Sequence, residues 1–136
     1  MSLKVTVSER TFHFKQPAGT SRGVYTTRKS WLVHLSDGER EGVGECAPLP
    51  DLSCDARPDY VDVLNKVCED FCQTGEINYE RWRDYPSMLF GLETAWLNMT
   101  NGDRLFDTAF SRGEVGIPIN GLVWICLLYT SDAADE

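Results

Sequence analysis

The chain has 136 residues, 42% of them hydrophobic, and carries a net charge of −8 at pH 7 with a pI near 4.7. That length suits one domain with an adequate core. The acidic balance, with no basic run longer than Arg28-Lys29, argues against nucleic acid and anionic membrane as partners. With no apolar run of about 18 residues and no signal peptide, the expected setting is soluble and cytoplasmic.

Leu3, Val5 and Val7 alternate with polar residues, and Phe12 and Phe14 continue in the opposite phase. The pattern predicts one long strand with a bulge near Ser8 to Arg10. Gln16 to Val24, rich in Gly, Ser and Thr, reads as a loop. Arg28 to Leu35 predicts a second strand with Trp31, Val33 and Leu35 on one face. Asp37-Gly38 marks a hairpin turn, and Arg40 to Cys46 returns as a third strand, which completes an antiparallel meander. That last strand belongs to Gly42-Val43-Gly44-Glu45-Cys46-Ala47-Pro48-Leu49-Pro50. Its two glycines admit another backbone at close range, and its two prolines stiffen the exit. Such a segment is either a plain strand exit or a rigid apolar cover.

The period then changes. Pro58 opens a helix in which Tyr60, Val61, Leu64, Val67, Cys68, Phe71 and Cys72 recur at helical spacing, closed by Gly75. Tyr79 to Asp84 predicts a weaker turn. Pro86 begins a second helix through Leu89, Leu92, Ala95, Trp96 and Met99, ended by Asn101-Gly102. Strands followed by helices describe an α+β domain over 1–113. Ile117 to Trp124 is a nearly continuous apolar run, the pattern of a strand buried on both faces of a parallel sheet. It makes 114–125 the start of a second, truncated domain. Residues 126–136 read as the in-frame translation of a sequencing adapter, foreign to the fold. Without them the net charge of −8 loses three carboxylates and becomes −5.

Five cysteines include no C-x-x-C pair. Cys68 and Cys72 share a helix face with Leu64 and Phe71, so buried free thiols are expected rather than a zinc site. Glu45 and Glu93 have no carboxylate or basic partner at catalytic spacing, and each is expected in a structural ion pair. His13 and His34 are expected on sheet faces, and the tryptophans in core or interface positions.

His13 to Gly23, Gly42 to Pro50, Phe90-Gly91-Leu92-Glu93 and Ile117 to Leu122, in that order, resemble the o-succinylbenzoate synthase family of the enolase superfamily. The resemblance is closest to its Bacteroidetes-type form and covers residues 1 to about 125. It implies an enolase-like N-terminal capping domain ahead of a β/α barrel. It also implies a lyase of menaquinone biosynthesis that dehydrates a cyclohexadiene carboxylate to o-succinylbenzoate with Mg²⁺. The resemblance places metal ligands and catalytic lysines on barrel strands beyond Trp124, so it assigns no catalytic or metal residue to this chain. The chain by itself is expected to bind no Mg²⁺ and to be inactive. In the full-length enzyme, Gln16 to Val24 and Ala47 to Ser53 would form a lid over a small carboxylate substrate. The lid residues are then Gly19, Thr20, Ser21, Arg22, Leu49 and Pro50, with Arg22 either attracting a dicarboxylate or serving as a solvated charge or salt bridge to the barrel. Leu49 and Pro50 would either pack the cap on the barrel or give apolar walls to the substrate. A dipeptide epimerase or N-acylamino acid racemase of the same superfamily, or a non-catalytic α+β binding module, are the competing readings.

Overall fold

The computed structural model describes residues 2–121. Its elements are β1 (Lys4–Thr20), β2 (Gly23–Ser36), β3 (Glu41–Cys46), α1 (Tyr60–Thr74) and α2 (Pro86–Asn101). The strands form one antiparallel sheet in the order β1-β2-β3, the expected meander. Contacts divide the chain into two compact units. Among the described residues, one holds 2–13 together with Thr27–Leu105, and the other holds Phe14–Thr26 and 106–121.

The first unit contains the core. Trp31, Val33 and Leu35 of β2 lie opposite Cys46, Gly44 and Gly42 of β3. On that face large side chains stand across from glycines, which leaves a trough along β3, and α2 lies in it. A Cβ on Gly42 would meet the Ala95 carbonyl, and one on Gly44 would meet the Gly91 carbonyl. The other backbone admitted by the two glycines is therefore α2, which answers with a glycine of its own. Asn98 secures the same helix, its Oδ1 accepting the Val43 N–H at 2.9 Å.

In α1 the buried stripe is Tyr60, Val63, Leu64, Val67, Cys68 and Phe71, with spacings of three and one that keep to one face. Val61 falls off this stripe and is exposed, and Val63 takes the place expected for it. The helix starts at Tyr60 rather than Pro58, with Asp59 at the N-cap and its carboxylate turned to Arg57 at 2.8 Å. Gly75 closes it in the left-handed region at φ 73°, as expected of a helix-ending glycine. In α2 the buried stripe is Met88, Gly91, Leu92, Ala95 and Met99, one step away from the expected Leu89. Phe71 of α1 meets Trp96 of α2 edge-on at 5.6 Å. Tyr79 to Asp84 contributes a single turn, closed by the Trp82 N–H on the Asn78 carbonyl.

Cys46 and Cys68 are buried as free thiols, Cys72 is half-buried, and Cys54 is exposed. Burial pushes the thiols of Cys46 and Cys68 up to about 12. Their thiolate fraction at neutral pH is negligible, and the thiolate is the reactive form. Iodoacetamide followed by peptide mass mapping is expected to alkylate Cys54 at least about a hundredfold faster than Cys46 or Cys68. Equal rates at Cys54 and Cys46 would contradict the packing of α2 on β3.

In the second unit, Thr108 and Ser111 tie a turn together, and Arg112 bridges Asp107 and Glu114. Ile117 to Gly121, expected to open a buried strand, carry no strand, and Ile119 is 86% exposed. A strand exists only through hydrogen-bonded neighbours, and among the described residues the sheet consists of β1, β2 and β3. Leu122 to Ile125 and the expected tail 126–136 lie outside the described residues.

Candidate functional site

The expected loop from Gln16 to Val24 is a correction. The chain stays in β-structure to Thr20 and resumes at Gly23, leaving Ser21-Arg22 as a two-residue turn. Gly, Ser and Thr resemble loop composition, yet threonine and valine fit a strand well and a tight hairpin needs few special residues. Gly23, at φ 147°, supplies the conformation that other residues rarely adopt. The Thr20 hydroxyl accepts the Arg22 N–H at 3.1 Å and donates to the Gly23 carbonyl at 3.0 Å. Its proton is thus committed to the turn. Thr20 shapes the tip, and Ser21 and Arg22 present polar groups at it. Gly19 stands beside the turn with open space where a Cβ would be.

The segment after β3 is tied up by local bonds. The Leu49 N–H donates to the Ser53 hydroxyl at 2.9 Å, and the Leu49 carbonyl accepts the Ser53 N–H at 2.9 Å. Asp51 sits in the left-handed region at φ 62°, a position an aspartate tolerates better than most residues. Pro48 is buried and Pro50 exposed. Leu49 is 39% exposed and Leu52, which the sequence did not single out, is 58% exposed. The tip is therefore stiff and apolar. At the root of the loop the Arg28 guanidinium donates from Nη2 to the Ala47 carbonyl at 3.1 Å. Open depressions flank the loop, one of about 410 Å³ beside Glu45, Cys54 and Phe90 and one of about 380 Å³ beside Lys29, Trp31 and Pro50.

Behind the loop Asp55 is fully buried. Its Oδ2 accepts the backbone N–H of Ser87 at 2.8 Å and the Ser87 hydroxyl at 2.6 Å. A carboxylate only accepts, so the Ser87 proton goes to Asp55 and the Ser87 oxygen accepts from the Tyr60 hydroxyl at 2.6 Å. Burial pushes the Tyr60 hydroxyl well above its ordinary pKa, so it remains a donor. Ser87 lies in the first turn of α2, where backbone N–H groups lack helical partners, and Asp55 satisfies one of them. Neither Arg28 nor Asp55 stood out in the sequence. Each acts through a contact many residues away, for which no local spacing gives a signal.

Two other expectations change. Glu93 accepts a hydrogen bond from the Tyr79 hydroxyl at 2.7 Å and forms no ion pair among the described residues, and this contact raises the Tyr79 pKa. Glu45 is exposed and makes no ion pair among the described residues. His34 shares a 3.1 Å hydrogen bond with Ser8 on an exposed stretch of sheet, and His13 is exposed. Trp31 stacks on Tyr60 at 4.3 Å, Trp82 donates to Asp70 at 2.8 Å, and Trp124 lies outside the described residues. Among the described residues no three carboxylate, imidazole or thiol groups converge to hold a metal ion.

The family profile described as "MenC, N-terminal domain" matches residues 20–99, more than half of the chain. The chain belongs to the MenC family. A curated MenC relative, the o-succinylbenzoate synthase of Desulfotalea psychrophila, is 30% identical, and the match covers 82% of this chain but 39% of that protein. The chain thus spans about two fifths of the length of that relative. The crystal structure of MenC from Desulfotalea psychrophila superposes with a TM-score of 0.68 at 21% identity, over 99% of this chain and 46% of that one. The o-succinylbenzoate synthase of Thermosynechococcus elongatus, a complex with Mg in the active site, superposes with a TM-score of 0.52 at 23% identity. It is matched over 74% of this chain and 31% of its own. A sheet of three antiparallel strands followed by two helices is thus the N-terminal capping fold of MenC, as the sequence implied.

Proposed function

We propose that this chain is the cap of an o-succinylbenzoate synthase, a lyase that dehydrates a succinyl-bearing cyclohexadiene carboxylate to o-succinylbenzoate in menaquinone biosynthesis, in the cytoplasm. The observation that carries this reading is the family match over 20–99, which takes in both the Ser21-Arg22 turn and the loop from Ala47 to Ser53. The elimination begins with loss of a weakly acidic proton next to a carboxylate, and it profits from a site closed to water. Two tips of the cap are suited to closing such a site. Leu49 and Pro50, with Leu52, give an apolar wall on a loop that is costly to flex. Gly19 and Thr20 set the shape of the hairpin tip, Ser21 offers a hydroxyl, and Arg22 offers a cation for a dicarboxylate. The relative from Thermosynechococcus holds Mg, whereas the described residues of this chain do not fit a metal. The catalytic groups and the Mg²⁺ site belong, in this reading, to the rest of the longer protein.

The test is an assay of the full-length protein with Mg²⁺, following o-succinylbenzoate by its absorbance, beside the 136-residue chain alone. Turnover is expected from the former and none from the latter. Epimerisation of dipeptides or racemisation of N-acylamino acids by the full-length protein, without dehydration, would move it to another branch of the superfamily. Dehydration by the isolated chain at the rate of the full-length protein would refute the cap reading outright.

A further inference from the structure

We propose that Arg28 is the positioning residue of the loop from Ala47 to Ser53: its side chain ties down the first carbonyl beyond the β2–β3 ladder. The ladder ends with Trp31 opposite Cys46. Continued in register, Ala47 would face Ser30 and Pro48 would face Lys29, but proline has no N–H to give and the pairing stops. Ala47 shares the alternation of Val43, whose N–H turns away from β2 to Asn98, so its carbonyl is no ladder acceptor and takes its partner from elsewhere. Arg28 lies three residues before Trp31 on β2, and its Nη2 reaches that carbonyl at 3.1 Å.

Two further observations favour a latch over an incidental contact. The guanidinium is drawn inward, since its Nε is buried and has no hydrogen-bond partner among the described residues. An arginine without a task on this strand would leave that group in water at no cost. Hydrogen bonds between Leu49, Leu52 and Ser53 hold the tip internally. They make the tip rigid, while the Arg28 bond and the buried Pro48 fix its root. Arg28 thus decides where a stiff tip points, while Leu49 and Leu52 decide what it presents. The functional consequence rests on the reading of this loop as half of a lid; the latch itself does not.

Hydrogen exchange of the 136-residue chain tests the latch without substrate or further domains. Arg28→Met keeps the aliphatic stem and removes the donor. The amides of Leu49, Leu52 and Ser53 are expected to exchange about tenfold faster, the loss of one charge-assisted hydrogen bond, while those of α1 and α2 stay within about twofold. Arg28→Lys keeps a cationic donor and is expected to fall between the two. Unchanged exchange at Leu49, Leu52 and Ser53, or an equal rise throughout α2, would overturn the proposal. Should Arg28→Met fail to fold, Arg28→Lys decides by the same criterion, acceleration confined to the loop or not. Failure of the lid reading is seen separately, as full-length Arg28→Lys with a displaced loop but unchanged KM.

Discussion

Replacing Gly44 by alanine is expected to destabilise the chain by about 3 kcal/mol or more and to lower Tm by about 15 °C. The added Cβ would overlap the Gly91 carbonyl and lie 2.7 Å from the Ala95 nitrogen and 2.8 Å from the Gly91 carbonyl carbon. All three are backbone atoms of α2, so no rotamer change relieves the contact and the helix must move off the sheet. That movement also loosens Met88, Leu92 and Met99, buried on the same face. Gly19→Ala is the control, because a Cβ there meets nothing within 4 Å. Urea unfolding followed by circular dichroism compares them, and a Gly44→Ala chain within about 1 kcal/mol of the parent would show that α2 does not lie on β3 as described.

Gly91→Ala touches the same contact from the other side and separates its causes. Its Cβ would overlap Cys46 Sγ, while the nearest backbone atoms, Cys46 N and Glu45 C, stand at 3.1 Å. Most of the conflict is thus with one sulfur atom, and alanine inside a helix returns about 1 kcal/mol of propensity. Cys46→Ala in the same chain is expected to relieve Gly91→Ala in part, a non-additive pair in contact. It is not expected to relieve Gly44→Ala.

The glycines also show how far the sequence could be read. Gly42 and Gly44, alternating in a strand, announced that a backbone comes close, but not which one. The partner signal, Gly91, carried only the oddity of a glycine in the middle of a helix. The α1 stripe was legible because helical period is local, and its error at Val61 came from taking the neighbour of Tyr60 for a member of the face. The hairpin tip was misread because Gly19, Ser21 and Gly23 have loop composition, although two residues suffice for the turn. Of the exposed apolar positions on the loop after β3, Leu49 and Pro50 were visible through the prolines. Leu52 was not, because its exposure depends on the fold-back of Ser53 onto Leu49. Arg28 drew notice only as half of the short basic pair Arg28-Lys29, because its contact with Ala47 lies 19 residues along the chain.

Asp55 was the least legible of all, a single acid in a polar stretch, and its loss is expected to be the second largest effect. Asp55→Ala removes two hydrogen bonds to a buried carboxylate and leaves the Ser87 N–H and hydroxyl without their acceptor, beside a new void. Each charge-assisted bond contributes about 1.5–3 kcal/mol and the negative charge at a helix N-terminus somewhat less than one, so a loss of about 3–4 kcal/mol is expected. Asp55→Asn retains an oxygen that can accept both Ser87 donors. Its amide nitrogen would take the place of Oδ1, an atom that already lacks a partner among the described residues. The cost there is the charge alone, about 1 kcal/mol. Tyr60→Phe removes only the outermost bond of the chain from Tyr60 through Ser87 to Asp55, and is expected to cost a similar amount. The order of the three variants carries the test. Were Asp55→Asn as damaging as Asp55→Ala, the negative charge rather than the two accepted hydrogen bonds would be what holds the start of α2, and with it the wall of the depression that Ser87 and Phe90 line beside the loop.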